Sequence, residues 1–359
     1  MKSYNEILSD VTKTATKIPQ SDYLDTGKYR IFDQGKEYSV GFSNDEQGVV
    51  SDYPYIIFGD HTRVVKYVNE PCFIGADGVK LLKVINKDFN PRFVYYNILA
   101  KPIENQGYAR HFKFLKEIQF TEKTLSVQTN IVTELDTIQS AIDNKKQQLS
   151  LLDEAVKSRF IEMFGDILAG KYKFETRKLG EISEVGSSHR VFTTEFVEHG
   201  IPFYRGTEIG ELANGKIPQK PYYISEEHYQ RLIAQDSKPQ IGDLLMPSIC
   251  NKGQVWMVDT EEPFYYKDGR VLSISPNREI YNSKYLQYFM REKTLVEYPK
   301  LGSGSTFAEF KIFLLKDIDI LTPPLSLQND FASFVQQIDK SKFEIANSLK
   351  RLYNKWMLS

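Results

Sequence analysis

At 359 residues, with 41% hydrophobic and 26% charged side chains, the chain has the balance of a globular protein about two domains long. Lys and Arg number 46 against 47 Asp and Glu, and the balance is also local: residues 1–120 hold 16 basic and 15 acidic side chains, residues 170–320 hold 20 and 21. No apolar run reaches the roughly 18 residues needed to cross a bilayer. The polar opening MKSYNEILSDVTK lacks a secretory core, and two cysteines, Cys72 and Cys250, are too few for a disulfide framework. A cytoplasmic protein without a membrane partner is expected, and any nucleic-acid site in it must be a local patch.

Along the first 120 residues, short β-rich runs (YPYIIFG, RVVKYV, CFIGA, VKLLKVI) are separated by the turn signals Gly59-Asp60, Asp77-Gly78 and Asn90-Pro91. The pattern then changes period. Ile131, Leu135, Ile138, Ile142, Leu149, Leu152 and Val156 follow a spacing of alternating threes and fours, the seam of a coiled coil. A second β-rich region follows, with GDLLMPSI, GQVWMVD, PFYYKDG and RVLSISP. A second seam closes the chain: Phe331, Val335, Ile338, Ile345, Leu349, Leu352 and Trp356. Neither seam contains Gly or Pro, so each predicts one long helix.

The two seams coincide at an offset of 200 without gaps, and the likeness extends upstream. IQFTEKTLSVQ (118–128) aligns with IDILTPPLSLQ (318–328), sharing Leu125 with Leu325, Ser126 with Ser326 and Gln128 with Gln328. Lys123-Thr124 stands where the second copy has Pro323-Pro324, which predicts a less rigid entry into the first helix. The reading is α+β: two mixed α/β domains separated by a pair of long antiparallel coiled-coil helices, in a pseudo-two-fold internal repeat. Its boundaries are 1–120, 121–165 (central helix), 166–320 and 321–359 (distal helix). An antiparallel pairing sets Ile131 against Trp356, Ile142 against Ile345 and Lys145 against Lys342, the last an unfavourable layer unless the ammonium groups reach solvent.

Catalytic signatures are missing. GSGST (302–306) has no lysine for phosphates, and Pro323-Pro324 sits between Thr322 and Leu325, unlike an adenine-methylating pocket. The five histidines form no HxxxH or HExxH pair, and no CxxC or GxSxG occurs.

Several phrases resemble the specificity subunit of Type I restriction–modification enzymes. IFGDHTRVVKYV (57–68) with FIGADGVKLLK (73–83), and GYARHFK (107–113), are similar to one class of its target recognition domains. KSRFIEMFGD (157–166) resembles the end of the family's central helix, and PPLSLQNDFASFV (323–335) the start of its distal one. The resemblance implies a chain that is not itself catalytic. It would read a two-part target in double-stranded DNA, one half-site per domain. It would recruit two methyltransferase (M) subunits and, where present, restriction (R) subunits. Adenine-N6 methylation and DNA cleavage would then belong to the holoenzyme, whose partner subunits use S-adenosylmethionine, ATP and Mg2+, this chain binding no cofactor or metal. A methylation-only system and a coiled-coil scaffold without DNA reading are the other readings.

Base reading needs side chains that offer donors and acceptors, with cations for phosphates. In the first domain the candidates are Asp60, His61, Thr62, Arg63, Lys66, Lys80, Tyr108, Arg110, His111 and Lys113. Asp60-His61-Thr62 reads equally as a capped turn, and His111 as a satisfied interior histidine. In the second domain they are His189, Arg190, Arg205, Thr207, Ser248, Lys252, Ser305 and Thr306. Arg205 reads equally as an arginine tied to a buried carboxylate. An exposed apolar surface with Phe160, Met163 and Phe164 is the expected partner contact.

Overall fold

Residues 1–75, 78–107, 109–235, 238–301 and 308–358 are described in a computed structural model, residues 357 and 358 by backbone alone. The chain divides into two compact units, Met1–Lys146 with Ala346–Ser359, and Gln147–Ile345. The division passes through both long helices, Leu125–Phe164 and Leu325–Leu358. No described helix is long and apolar enough to cross a membrane.

In the first unit a central strand, Tyr55–Gly59, is buried at all five residues. Its neighbours are Val79–Val84 and Val65–Val68, and Leu8–Asp10 pairs with the far edge of Val79–Val84; every pairing is antiparallel. Successive side chains of a strand point to opposite faces, and here each face has its own core. Ile56, Phe58 and Leu82 pack with Phe93, Val94, Phe112 and Phe120, whereas Ile57 and Leu81 pack with Phe32, Val50, Cys72 and Ile74. This is why the run is apolar throughout rather than alternating. A second sheet holds Gly41–Ser43, Tyr29–Phe32 and Cys72–Ile74, the last two parallel.

The second unit repeats this design. Leu244–Pro247 lies between Val271–Pro276 and Trp256–Met257, with Ser183–Ser187 on the far edge. Its second sheet again has one parallel pair, Ile201–Tyr204 with Tyr265–Tyr266. Leu244 and Met246 face one core, Leu245 and Trp256 another.

The joint between each sheet region and its long helix is the most closely repeated feature. Asn90-Pro91, expected as a turn, instead starts the helix Pro91–Leu99. Asn90 Oδ1 accepts from the Arg92 and Phe93 amides, and proline tolerates the first helical position because that N–H has no partner in the helix. Asn282 caps Ser283–Glu297 in the same way. The amide of each Asn is bound by a fully buried glutamine of a long helix. The Asn90 N–H donates to Gln128 Oε1 at 2.7 Å, and Gln128 Nε2 donates to the carbonyls of Asp88 and Lys123 at 2.7 and 2.8 Å. The Asn282 N–H donates to Gln328 Oε1 at 3.0 Å, and Gln328 Nε2 donates to Ile280 and Pro323 at 2.9 and 2.8 Å. Both helices begin at the equivalent leucine, with Gln128 N–H bonded to Thr124 and Gln328 N–H to Pro324. The missing proline pair therefore leaves the helix start in place.

Within each unit the helical segments run antiparallel. In the first, Trp356 lies by Ile131 and Leu135, Lys355 pairs with Glu134 at 3.1 Å, and Lys146 sits over the Tyr353 ring. In the second, Phe331 packs on Phe160 and Phe164 with ring centroids 5.4 and 5.6 Å apart, and Lys342 pairs with Asp153. Lys342 thus meets a carboxylate. Every seam residue is buried or half-buried, while Leu151 and Phe343, off the seam, are exposed. The first long helix stops at Gly165, whose φ of +101° and approach to the Lys171 carbonyl (2.1 Å from where a Cβ would stand) admit only glycine.

Replacing Gln128 or Gln328 with methionine keeps the volume but leaves one amide and two carbonyls without their partners. Each substitution is expected to lower stability by about 2–4 kcal/mol, as measured by urea denaturation, with similar losses for the two equivalent sites.

Candidate nucleic-acid interface

In the first unit, four loops meet beyond the end of strand Tyr55–Gly59. The Asp60 N–H donates to the Gly78 carbonyl at 2.7 Å, and the His111 N–H donates to the Asp60 carbonyl at 2.8 Å. The His61 N–H reaches Gln34 Oε1 at 3.2 Å, and Thr62 Oγ1 donates to the Gln34 carbonyl. Gly78 takes φ +88°, the left-handed region that favours glycine, and a Cβ at Gly59 would fall 2.2 Å from Thr62 Oγ1 and 2.9 Å from Gln34 Cβ.

This tight junction draws several expected DNA-reading residues inward. Asp60 is 5% exposed, and its Oδ1 accepts the Phe112 N–H at 2.8 Å, at the start of helix Phe112–Leu115. His111 is fully buried; its Nδ1 faces the Asp60 carbonyl at 3.0 Å and its Nε2 accepts the Gln106 N–H at 3.2 Å. Both ring nitrogens are therefore used by backbone, which makes Nδ1 the donor. Lys66 is buried on its strand with Nζ 3.3 Å from Asp33. Burial drives its pKa down, partly offset by Asp33. Asp60, Lys66 and His111, expected from the sequence as DNA contacts, thus sit in the interior and hold the loops together.

The other candidates divide by exposure. Arg63 adopts φ +63°, is half-buried, and donates to the Ile103 carbonyl at 3.1 Å. Lys80 is half-buried, 3.6 Å from Asp10 and over the Phe112 ring. His61 is half-buried and Thr62 exposed. Arg110 and Lys113 are exposed, and among the described residues neither makes an ion pair. Tyr108 lies outside the described residues.

The second unit builds the equivalent junction. The Ser248 N–H donates to the Arg270 carbonyl at 2.9 Å, the Phe310 N–H to the Ser248 carbonyl at 2.8 Å, and the Lys267 N–H to the Tyr204 carbonyl at 2.9 Å. Ser187 Oγ donates to the Val271 carbonyl and accepts from the Gly269 N–H, at 2.7 and 2.8 Å. Ser248, expected from the sequence as a base contact, is 1% exposed, with its Oγ 3.5 Å from Glu309.

Arg205 takes the carboxylate-bound form. Its Nε and NH2 donate to the two oxygens of buried Glu208 at 3.1 and 2.7 Å, and its guanidinium lies 4.5 Å from the Tyr222 ring centroid. Burial works against the Glu208 charge, but the hydrogen bonds from the Arg205 side chain and backbone outweigh it and hold the carboxyl below its usual range. His189 is half-buried, with its N–H on Tyr265 Oη at 3.0 Å. Arg190, Thr207 and Lys252 are exposed, Arg190 reaching Asp268 at 3.4 Å. Ser305 and Thr306 lie outside the described residues. Arg270 and Glu309, absent from the sequence-based candidates, stand at the centre of this junction, paired at 2.8 Å. The signal available for them was the turn Lys267-Asp268-Gly269-Arg270 between two β-rich runs.

Phe160 and Phe164 are 2% and 0% exposed in the core of the second unit, with Tyr285, Phe289 and Phe331, and half-buried Met163 packs against the same core. Their expected role as an exposed partner surface is corrected: the aromatic ring of the helix end is what the α+β half is built on. Among the described residues no group of three or more His, Cys, Asp and Glu is suited to a metal ion.

One α+β module is used twice, each copy gathering polar loops beyond its central strand. The profile of the Type I restriction modification DNA specificity domain matches residues 171–352, half of the chain, and the chain belongs to that family. The Type I restriction enzyme EcoR124I/EcoR124II specificity subunit of Escherichia coli is 26% identical over 243 residues, which is 61% of this chain and 58% of that subunit. The chain therefore aligns with less than two thirds of the length of that relative. The crystal structure of a Type I restriction–modification S subunit from M. genitalium shares the fold, with a TM-score of 0.60 over 99% of this chain and 94% of that chain at 13% identity. The HsdS subunit from Thermoanaerobacter tengcongensis is a looser likeness, with a TM-score of 0.42, 14% identity, and coverage of 86% and 80%.

Two contrasts check these placements. His111→Ala is expected to cost about 2–3 kcal/mol by leaving two backbone groups unpaired, while Arg110→Ala stays within about 0.5 kcal/mol; thermal and urea unfolding of both variants distinguish interior from surface. A carboxyl held below its usual range stabilises the fold above the ordinary carboxylate pKa and loses that contribution as pH falls. Glu208→Gln is therefore expected to flatten the fall in melting temperature between about pH 5 and pH 3.

Proposed function

We propose that this chain is the DNA sequence-specificity subunit of a Type I restriction–modification system and is not itself catalytic. Each α+β half reads one part of a bipartite double-stranded target through its loop junction. Two methyltransferase subunits, and restriction subunits where the system includes them, assemble on the chain in the cytoplasm. S-adenosylmethionine, ATP and Mg2+ are bound by those partners, and adenine-N6 methylation and cleavage are theirs.

The observation that carries this reading is the duplicated junction. The same backbone pairings order the loops beyond both central strands, and exposed cations stand on or beside them: Arg110 and Lys113 in one half, Arg270 and, through Asp268, Arg190 in the other. Side chains that reach phosphates and base edges from a rigid backbone are what sequence reading requires. A near-neutral chain suits a subunit whose partners share the phosphate contacts.

The test is a methylome. With its methyltransferase partner in a host lacking other adenine methylation, the chain is expected to direct N6-methyladenine to a split motif with two defined halves and a fixed gap. Exchanging residues 1–120 for those of a relative is expected to change one half and leave the other half and the gap alone. A change in both halves sinks the two-reader reading. Partner binding that ignores both salt and DNA, with no methylation, favours a scaffold.

A further inference from the structure

The junctions of the two halves share their backbone pairings but differ in which segment supplies the guanidinium. Asp60 bonds to the Gly78 carbonyl and receives His111; Ser248 bonds to the Arg270 carbonyl and receives Phe310. Gly78 thus corresponds to Arg270, and Arg110, just before His111, corresponds to Glu309. Beside these matched pairings the first half has Arg110, on the crossing loop, and the second has Arg270, on the hairpin turn.

Arg270 is held unusually well for an exposed residue. Its carbonyl is bound by Ser248, the preceding Gly269 N–H by Ser187 Oγ at 2.8 Å, and Lys267 by the Tyr204 carbonyl. Its side chain is 57% exposed, yet NH1 donates to Glu309 Oε2 at 2.8 Å, and Glu309 is only 21% exposed. Glu309 is itself fixed by Lys311 and by Ser248 Oγ. Among the described residues NH1 alone of the guanidinium nitrogens is engaged, and the side chain stays largely exposed while held by Glu309. A fixed guanidinium loses less freedom on binding than a mobile one. The base edge that matches two parallel N–H donors is that of guanine, with O6 and N7 in the major groove.

We propose that Arg270, positioned by Glu309, reads a guanine in the half-site addressed by the second domain. This rests on the DNA-reading function proposed above. The full chain is co-expressed with its methyltransferase partner, and motifs and DNA affinities are compared for the wild type, Arg270→Ala, Arg270→Lys and Glu309→Gln.

In the wild type, one half of the motif is expected to contain an obligatory guanine. Arg270→Ala is expected to make that position tolerant of other bases and to weaken cognate binding about ten- to a hundredfold, with the other half and the gap unchanged. Arg270→Lys should keep non-specific affinity and lose the guanine preference. Glu309→Gln should relax the same position several-fold without altering the melting temperature, an effect that a purely structural role would not produce. Equal weakening for all sequences with a shallower salt dependence would make Arg270 a phosphate contact and overturn the proposal, as would unaltered motifs in all three variants. A wild-type complex with no split motif overturns the parent function, and this inference falls with it.

Discussion

A buried amide side chain decides where each long helix leaves its α+β half. Gln128 and Gln328 each use both ends of the amide: the oxygen takes the N–H of a helix-capping asparagine, and the nitrogen bridges two carbonyls. A fully buried amide without such partners is costly, so the helix can enter only in the register that satisfies all three bonds. A cation two residues after each asparagine reaches a carboxylate farther along the long helix, Arg92 to Asp136 at 2.9 Å and Lys284 to Asp339 at 2.8 Å. Together these contacts fix both the start and the rotation of the helix, and the seam residues follow from that rotation.

The same economy of polar contacts separates interior from exposed side chains at the loop junctions. Loops built on a fully buried strand end must satisfy their backbone groups internally, which consumes Asp60, His111 and Ser248. The outer layer holds the exposed side chains: Thr62, Arg110 and Lys113 in one half, and Arg190, Thr207, Lys252 and Arg270 in the other. Charge neutrality of the whole chain is compatible with this, because Asp and Glu are used locally to position cations, as Glu208 does for Arg205 and Glu309 for Arg270.

How much of this could be read from residues alone depended on spacing. The long helices were legible because a seam needs strict periodicity, which preserved an ungapped repeat at 200 residues (Gln128 and Gln328). The sheets share the repeat but hid it. Equivalent positions lie 175 apart at the opening helices (Tyr4 and Leu179), 188 at the central strands (Ile56 and Leu244) and 192 at the caps (Asn90 and Asn282). Loops of unequal length shift the offset, and strands of two to six residues are too short to re-establish it. At the site, residue type named polar candidates but not their burial. Whether Asp60 faces water or an amide is decided by a chain crossing 52 residues away. Phe160 and Phe164 misled for the opposite reason: a seam pattern locates one partner for a helix, and these rings serve a second, the α+β core.

The uneven division of the chain has a consequence for its synthesis. The second unit, Gln147–Ile345, is one continuous stretch, whereas the first joins Met1–Lys146 to Ala346–Ser359. Domains ordinarily mature in the order in which they leave the ribosome. Here the half made first waits for the segment made much later: Trp356 must arrive beside Ile131 and Leu135, and Lys355 beside Glu134. Until then that stretch of helix presents its apolar seam to solvent, so the interval of translation between residues 146 and 346 is when this chain is most exposed to wrong partners.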